Sequence, residues 1–318
     1  SLRVLTFITS IYSSLKNCLN NCKSVILDQW QMSECRQPNK VSLVTLNIIF
    51  LIKTLQMRTY SFALVIFLIV SCTPKQKQDL PIDYYASLPP YFSETLKAHG
   101  GLDKWKSFKT LEYDLLHDGD ATPTEHYTLD LLNRKDLTVA DSFKIGFDGK
   151  EVWVTPNKDA FNGRSARFYH NLYSYFLTIP FIVSDPGALY SEDTLTVNGK
   201  FYNVINVNFE EGVGDADKDA YKLLIDPSTK QMDKLLYTVT YYSGEAHENY
   251  NALSYEDWKD INGLRMPTKL VGHKYSDGVI GEKRYEVNFV NIQLKEESPN
   301  QDIFNMPTEA EIDTLRTN

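Results

Sequence analysis

The run Phe143-Lys144-Ile145-Gly146-Phe147-Asp148-Gly149-Lys150-Glu151-Val152-Trp153-Val154-Thr155 alternates, turns and continues. Phe143, Ile145 and Phe147 fall on every second position, the period of a half-buried strand. Asp148-Gly149 then separates this run from a second one rich in β-branched and aromatic residues. Both turn residues accept positive φ, so the segment predicts a β-hairpin. The same grammar extends in both directions. Upstream, Leu111, Tyr113 and Leu115 alternate with Glu112, Asp114 and Leu116, and Tyr127, Leu129 and Leu131 repeat the pattern. Downstream, Asn198-Gly199 joins 194–197 to 201–209, and Asp226-Pro227-Ser228-Thr229-Lys230 turns 221–225 into 232–242. Further strands are expected at 246–255, 266–275 and 282–294, with Asn262-Gly263 and Asp277-Gly278 as turns. The expected fold is mainly β: a meander of about ten antiparallel strands forming a curved sheet or unclosed β-barrel, with few helices.

A different pattern precedes this body. Met57 to Cys72 has Arg58 at its start, an unbroken apolar run from Phe62 to Val70, and small Ser71 just before Cys72. This is the order of a secretory signal. The run is shorter than the roughly 20 apolar residues of a membrane span, and Pro74 blocks helix continuation. The tetrad Ile69-Val70-Ser71-Cys72 resembles the bacterial lipobox. That resemblance implies cleavage before Cys72 and a lipid on its thiol. Residues 1–56 read as upstream or leader sequence, 57–71 as a lipoprotein signal peptide, 72–89 as lipidated N-terminus and tether, 90–307 as the β domain and 308–318 as a tail. Cys18, Cys22 and Cys35 lack the fourth ligand and second close pair of a structural zinc site.

No cysteine follows Cys72, so the body uses no disulfide and its stability comes from packing. The leader through Cys72 holds 7 of the 33 Lys and Arg and 2 of the 41 Asp and Glu, which leaves the body at net −13. An acidic body of this kind argues against nucleic acid as a partner and against charge-driven adsorption to anionic lipid. Membrane attachment would then depend on the lipid at Cys72.

Two helical stretches interrupt the β pattern. Residues 91–99 place Phe92 and Leu96 on one face and end at Gly100-Gly101. The segment 161–180 carries Phe168, Leu172, Phe176 and Ile179 on one stripe and Tyr169 and Tyr173 on a neighbouring one, so it predicts a helix apolar nearly all round, which needs cover on most sides. Two readings are open: ordinary core in a β-sandwich, or a helix on the concave face of the sheet that lines a cavity for an apolar ligand. On the second reading the ligand-binding candidates are Phe168, Tyr169, Leu172, Tyr173 and Phe176 on the helix, with Trp105, Phe147, Trp153, Tyr237 and Tyr241 on the facing wall. Tyr169 and Tyr173 would bury their rings and keep their hydroxyls at the wet rim.

No catalytic motif is present: there is no phosphate-binding glycine loop, nucleophile elbow or His-Glu-x-x-His. His117, Asp118, Asp120, Glu125 and His126 cluster around a turn without ligand spacing and read as a solvated loop. Neither a metal nor a cofactor is expected.

The order His99-Gly100-Gly101-Leu102-Asp103-Lys104-Trp105, Asp148-Gly149-Lys150 with Trp153, Tyr175-Phe176, Ile179-Pro180-Phe181, Asp185-Pro186-Gly187, Asp226-Pro227-Ser228-Thr229 and Trp258 before Asn262-Gly263-Leu264-Arg265-Met266-Pro267 resembles a family of bacterial lipoproteins. These are similar to the outer-membrane lipoprotein carriers LolA and LolB. The resemblance implies an unclosed barrel whose aromatic concave face receives acyl chains. It implies a lipid-anchored, non-enzymatic protein of the outer membrane, facing the periplasm, in lipid or lipoprotein trafficking. A structural or interaction lipoprotein with a filled core is the alternative, and a hydrolase the second alternative.

Overall fold

A computed structural model describes residues 83–314. Cys72 and the segments 1–56 and 57–71 lie outside the described residues, as does the start of the tether. The central hairpin forms as expected. β4 (Lys144–Phe147) turns through Asp148-Gly149 into β5 (Val152–Thr155), and the Asp148 Oδ1 accepts the backbone N–H groups of Lys150 and Glu151 at 2.8 Å each. With β1 (Thr110–His117), β2 (Glu125–Asp130) and β3 (Lys135–Ala140) it makes a five-strand antiparallel meander.

A second meander runs through β6 (Ala188–Val197), β7 (Lys200–Phe209), β8 (Tyr221–Ile225), β9 (Met232–Tyr237), β10 (Asn251–Glu256), β13 (Lys269–Ser276) and β14 (Val279–Lys295). The short hairpin β11 (Lys259–Ile261) and β12 (Leu264–Met266) stands apart as a two-stranded sheet. The two meanders join where β1 pairs with β14. β15 (Glu311–Asp313) adds to β5, so the segment 308–318 carries an edge strand and is more than a tail. The result is one 13-stranded sheet whose edges, β15 and β6, do not pair with each other. The open-barrel reading therefore holds with more strands than expected, because 188–197 and 264–276 each carry more pairing than their turn signals reveal.

Helices cover one face of this sheet. α1 (Pro90–Ala98) and α2 (Leu102–Ser107) are separated by Gly100-Gly101, both at positive φ; a Cβ at Gly100 would strike the Gly263 carbonyl. The segment 161–180, expected as one helix, is broken. Residues 161–164 are irregular, Ser165 caps α3 (Ala166–Tyr169) by accepting the Phe168 N–H, and α4 (Leu172–Thr178) begins after His170 and Asn171. Ile179 is extended at ψ 133°, as a residue before proline prefers.

The curvature follows from what α4 touches. Its Ser174 hydroxyl lies 2.8 Å from the Tyr113 hydroxyl on β1, while the Tyr175 ring meets that of Tyr221 on β8 at 5.8 Å between centroids. β1 and β8 are five strand spacings apart, roughly 24 Å on a flat sheet. A helix is only about 10 Å across, so the sheet wraps around α4. The core accordingly runs from Leu111, Tyr113 and Leu115 through Phe289 and Leu253 to Leu223 and Ile205.

Candidate functional site

Where the wrapped sheet fails to close, the helix pair α3–α4 leaves a cleft of about 320 Å³ against β4, β7, β8 and β9. A second chamber of about 360 Å³ adjoins it beneath β2 and β3. Phe147, Asn171, Tyr175 and Phe209 line both. The first chamber is walled by rings. Phe176 meets Tyr237 at 4.9 Å, Phe168 meets Tyr241 at 5.2 Å, and Phe209 meets Tyr221 edge-on at 5.7 Å.

Six of the ten ligand candidates named from sequence line this chamber: Phe147, Phe168, Leu172, Phe176, Tyr237 and Tyr241. The other four lie elsewhere. Trp105 stacks on Phe181 at 5.1 Å inside the α1–α2 core. Trp153 points to the opposite face of the sheet: strand parity sends Val152 and Val154 to the helix side with Ile145 and Ala166, and the Trp153 indole instead donates to the Phe304 carbonyl at 3.0 Å. Tyr169 does not keep its hydroxyl at the rim. It donates to Glu125, 2.8 Å from each carboxylate oxygen, and Tyr173 packs edge-on between Tyr169 and His117.

This last cluster corrects the solvated-loop reading of 117–126. Glu125 is buried and also accepts the Tyr127 hydroxyl at 2.6 Å. His117 Nε2 lies 3.2 Å from it, and that bond raises the imidazole pKa.

Several lining groups carry no sequence signal of a site. Arg167 on α3 grips Asp215 of the β7–β8 loop with two hydrogen bonds, Nε at 2.6 Å and Nη2 at 3.1 Å. Asp219 is buried at the cleft wall; burial pushes its pKa up, against the bonds it accepts from the Thr240 N–H and hydroxyl at 2.6 and 2.8 Å. Between the chambers His170 Nδ1 meets Asp136 Oδ2 at 2.8 Å. The one legible hint was that Asp136 and Thr138 occupy the inward-facing register of β3, where apolar residues are the rule. Among the described residues no group of three or more His, Cys, Asp or Glu is placed to hold a metal, and no helix is long and apolar enough to cross a membrane.

An open antiparallel sheet wrapped around a broken helix, with an aromatic cleft at its unclosed side, defines the class of the fold. The chain belongs to the family of unknown function DUF6503, whose model matches residues 102–268. No curated protein matches it. Among solved structures it is similar to a LolA superfamily protein from Nitrosomonas europaea, at 12% identity over 67% of this chain and 96% of that one with a TM-score of 0.40. It is also similar to a DUF1329 family protein from Desulfovibrio piger, at 10% identity over 64% and 91% with a TM-score of 0.42.

Proposed function

We propose that the protein is a non-enzymatic binding protein whose cleft takes an acyl chain or a similar apolar molecule. The observation that carries this reading is the cleft of about 320 Å³ walled by Phe147, Phe168, Leu172, Phe176, Tyr237 and Tyr241. Binding sites for small apolar molecules are concave, mostly apolar and carry few polar groups. A filled core would have closed α4 against β8 and β9 without such space. The setting is the outer membrane, with the body held on its periplasmic side by a lipid on Cys72 and lipid or lipoprotein trafficking as its role.

The test is binding of the uncharged fluorophore N-phenyl-1-naphthylamine to the folded body. Saturable binding that decanoate or decan-1-ol displaces supports the reading. Absence of saturable binding overturns it in favour of a structural lipoprotein. The anchoring part is tested separately: Cys72→Ser should move the protein from the membrane to the soluble fraction, and unchanged sedimentation with membranes would sink it.

A further inference from the structure

His170 and Asp136 meet at the boundary of the two chambers. His170, at the break between α3 and α4, lines the first; Asp136, on the inward face of β3, lines the second. Their side chains are 6% and 5% exposed. A carboxylate only accepts hydrogen bonds, so the His170 Nδ1–H donates to Asp136. The bond to Asp136 is the imidazole's sole hydrogen bond among the described residues. The other carboxylate oxygen, Asp136 Oδ1, is buried with no partner. Buried polar atoms are nearly always paired, because an unpaired one bears its full desolvation cost. The boundary of the two aromatic chambers thus carries one unpaired carboxylate oxygen, Asp136 Oδ1, beside the His170 ring.

We propose that Asp136 and His170 form a polar subsite that receives the hydrogen-bond-donating head, an ammonium or hydroxyl group, of an amphipathic ligand whose chain lies along Phe147 and Phe176. This rests on the cleft being a site for an apolar ligand. A carboxylate or phosphate head would set lone pairs against lone pairs here. Two nearby cations are already engaged: Arg134 and Lys106 both pair with Asp185 at the mouth of the second chamber. Lys135, which also lines that chamber, is the group that an acidic head would seek.

Decylamine, decan-1-ol and decanoate share one chain and differ in the head. Their displacement of N-phenyl-1-naphthylamine from the wild-type protein reads the preference directly. The amine and the alcohol should displace the probe at concentrations at least about tenfold lower than decanoate, the scale of one hydrogen bond to a charged group. Asp136→Asn keeps an oxygen for the His170 Nδ1–H and replaces the free acceptor by an N–H donor, so the preference should shrink or reverse in a variant whose unfolding curve shows it to be folded. Should that variant not fold, the wild-type preference stands beside a second reading, the nitrogen-15 shift of His170 Nε2, which should move on adding decylamine. Equal displacement by the three heads, or an unmoved Nε2 signal, overturns the subsite and leaves the chain-binding reading intact. Tightest displacement by decanoate overturns it in favour of Lys135. Failure of the fluorophore itself to bind is the separate failure of the cleft reading.

Discussion

His99 Nε2 accepts the backbone N–H of Met232 at 3.0 Å, tying the end of α1 to the start of β9 across 133 residues of sequence. The other ring nitrogen lies 3.1 Å from the Arg265 carbonyl and donates to it, so the neutral tautomer is fixed at both ends. Burial lowers the imidazole pKa to about 4. The unfolded chain takes up the proton near 6.5, whereas the folded chain resists it until about 4. This contribution to stability is therefore complete above pH 6.5 and falls away as the pH drops from 6.5 towards 4. It amounts to roughly 3 kcal/mol over that window. Urea unfolding of wild type and His99→Leu at pH 7.5 and 4.5 checks it. The variant should be less stable at pH 7.5, with Met232 N–H left unpaired, and should lose less on acidification; parallel losses would show that His99 is not the group involved.

Phe176 is buried, yet its ring borders the cleft. Removing it enlarges a cavity that already exists, so Phe176→Ala should cost less than the about 3–5 kcal/mol of a close-packed Phe→Ala change. Denaturant midpoints measure the cost, and the same variant should bind N-phenyl-1-naphthylamine with altered affinity. A full core penalty with unaltered probe binding would place Phe176 in ordinary core.

Glu125 is held by two tyrosine hydroxyls and one histidine, and replacing Tyr169 by Phe removes one of them. A buried carboxylate short of a donor costs about 1–3 kcal/mol. Tyr169→Phe should lower the denaturant midpoint accordingly, whereas Asp118→Asn, an exposed position, should stay within about 0.5 kcal/mol. Equal, negligible effects would return the whole 117–126 cluster to the status of a solvated loop.

Turn chemistry was the most legible part of this chain. Asn198-Gly199, Asn262-Gly263 and Asp277-Gly278 each place both residues at positive φ, a demand local enough to be written in two residues. Which way a strand faces was not local. Val152, Trp153 and Val154 are all apolar and all buried, so no alternation marks their inward side, which is settled only by Ala166 and Phe304 from distant segments. The helix break escaped for a related reason. Phe168, Leu172 and Phe176 keep a spacing of four across His170 and Asn171, and periodicity registers the stripe without the interruption. Asp136 with His170, and Arg167 with Asp215, are pairings of sequence separation 34 and 48. Each member alone reads as a polar residue beside apolar ones.

Arg167 is the least exposed arginine among the ion-paired ones described, 10% against 31% for its partner Asp215. Its backbone N–H is also held, by Asp313 of β15 at 3.0 Å, so α3 is fastened both to the β7–β8 loop and to the sheet edge. Asp215→Ala strands a guanidinium that is mostly out of water. Breaking a fully buried pair costs about 3–5 kcal/mol, and the partial exposure of Asp215 reduces this to about 1–3 kcal/mol. The loss should also be local, because the ion pair holds a four-residue helix with few bonds of its own. Amide hydrogen exchange should therefore accelerate over 166–170 while β7 and β8 keep their protection. Arg167→Met combined with Asp215→Ala removes the stranded charge and should recover part of the stability but not the protection of α3. Uniform acceleration across the sheet in Asp215→Ala would show instead that the pair supports the whole fold and not α3 alone.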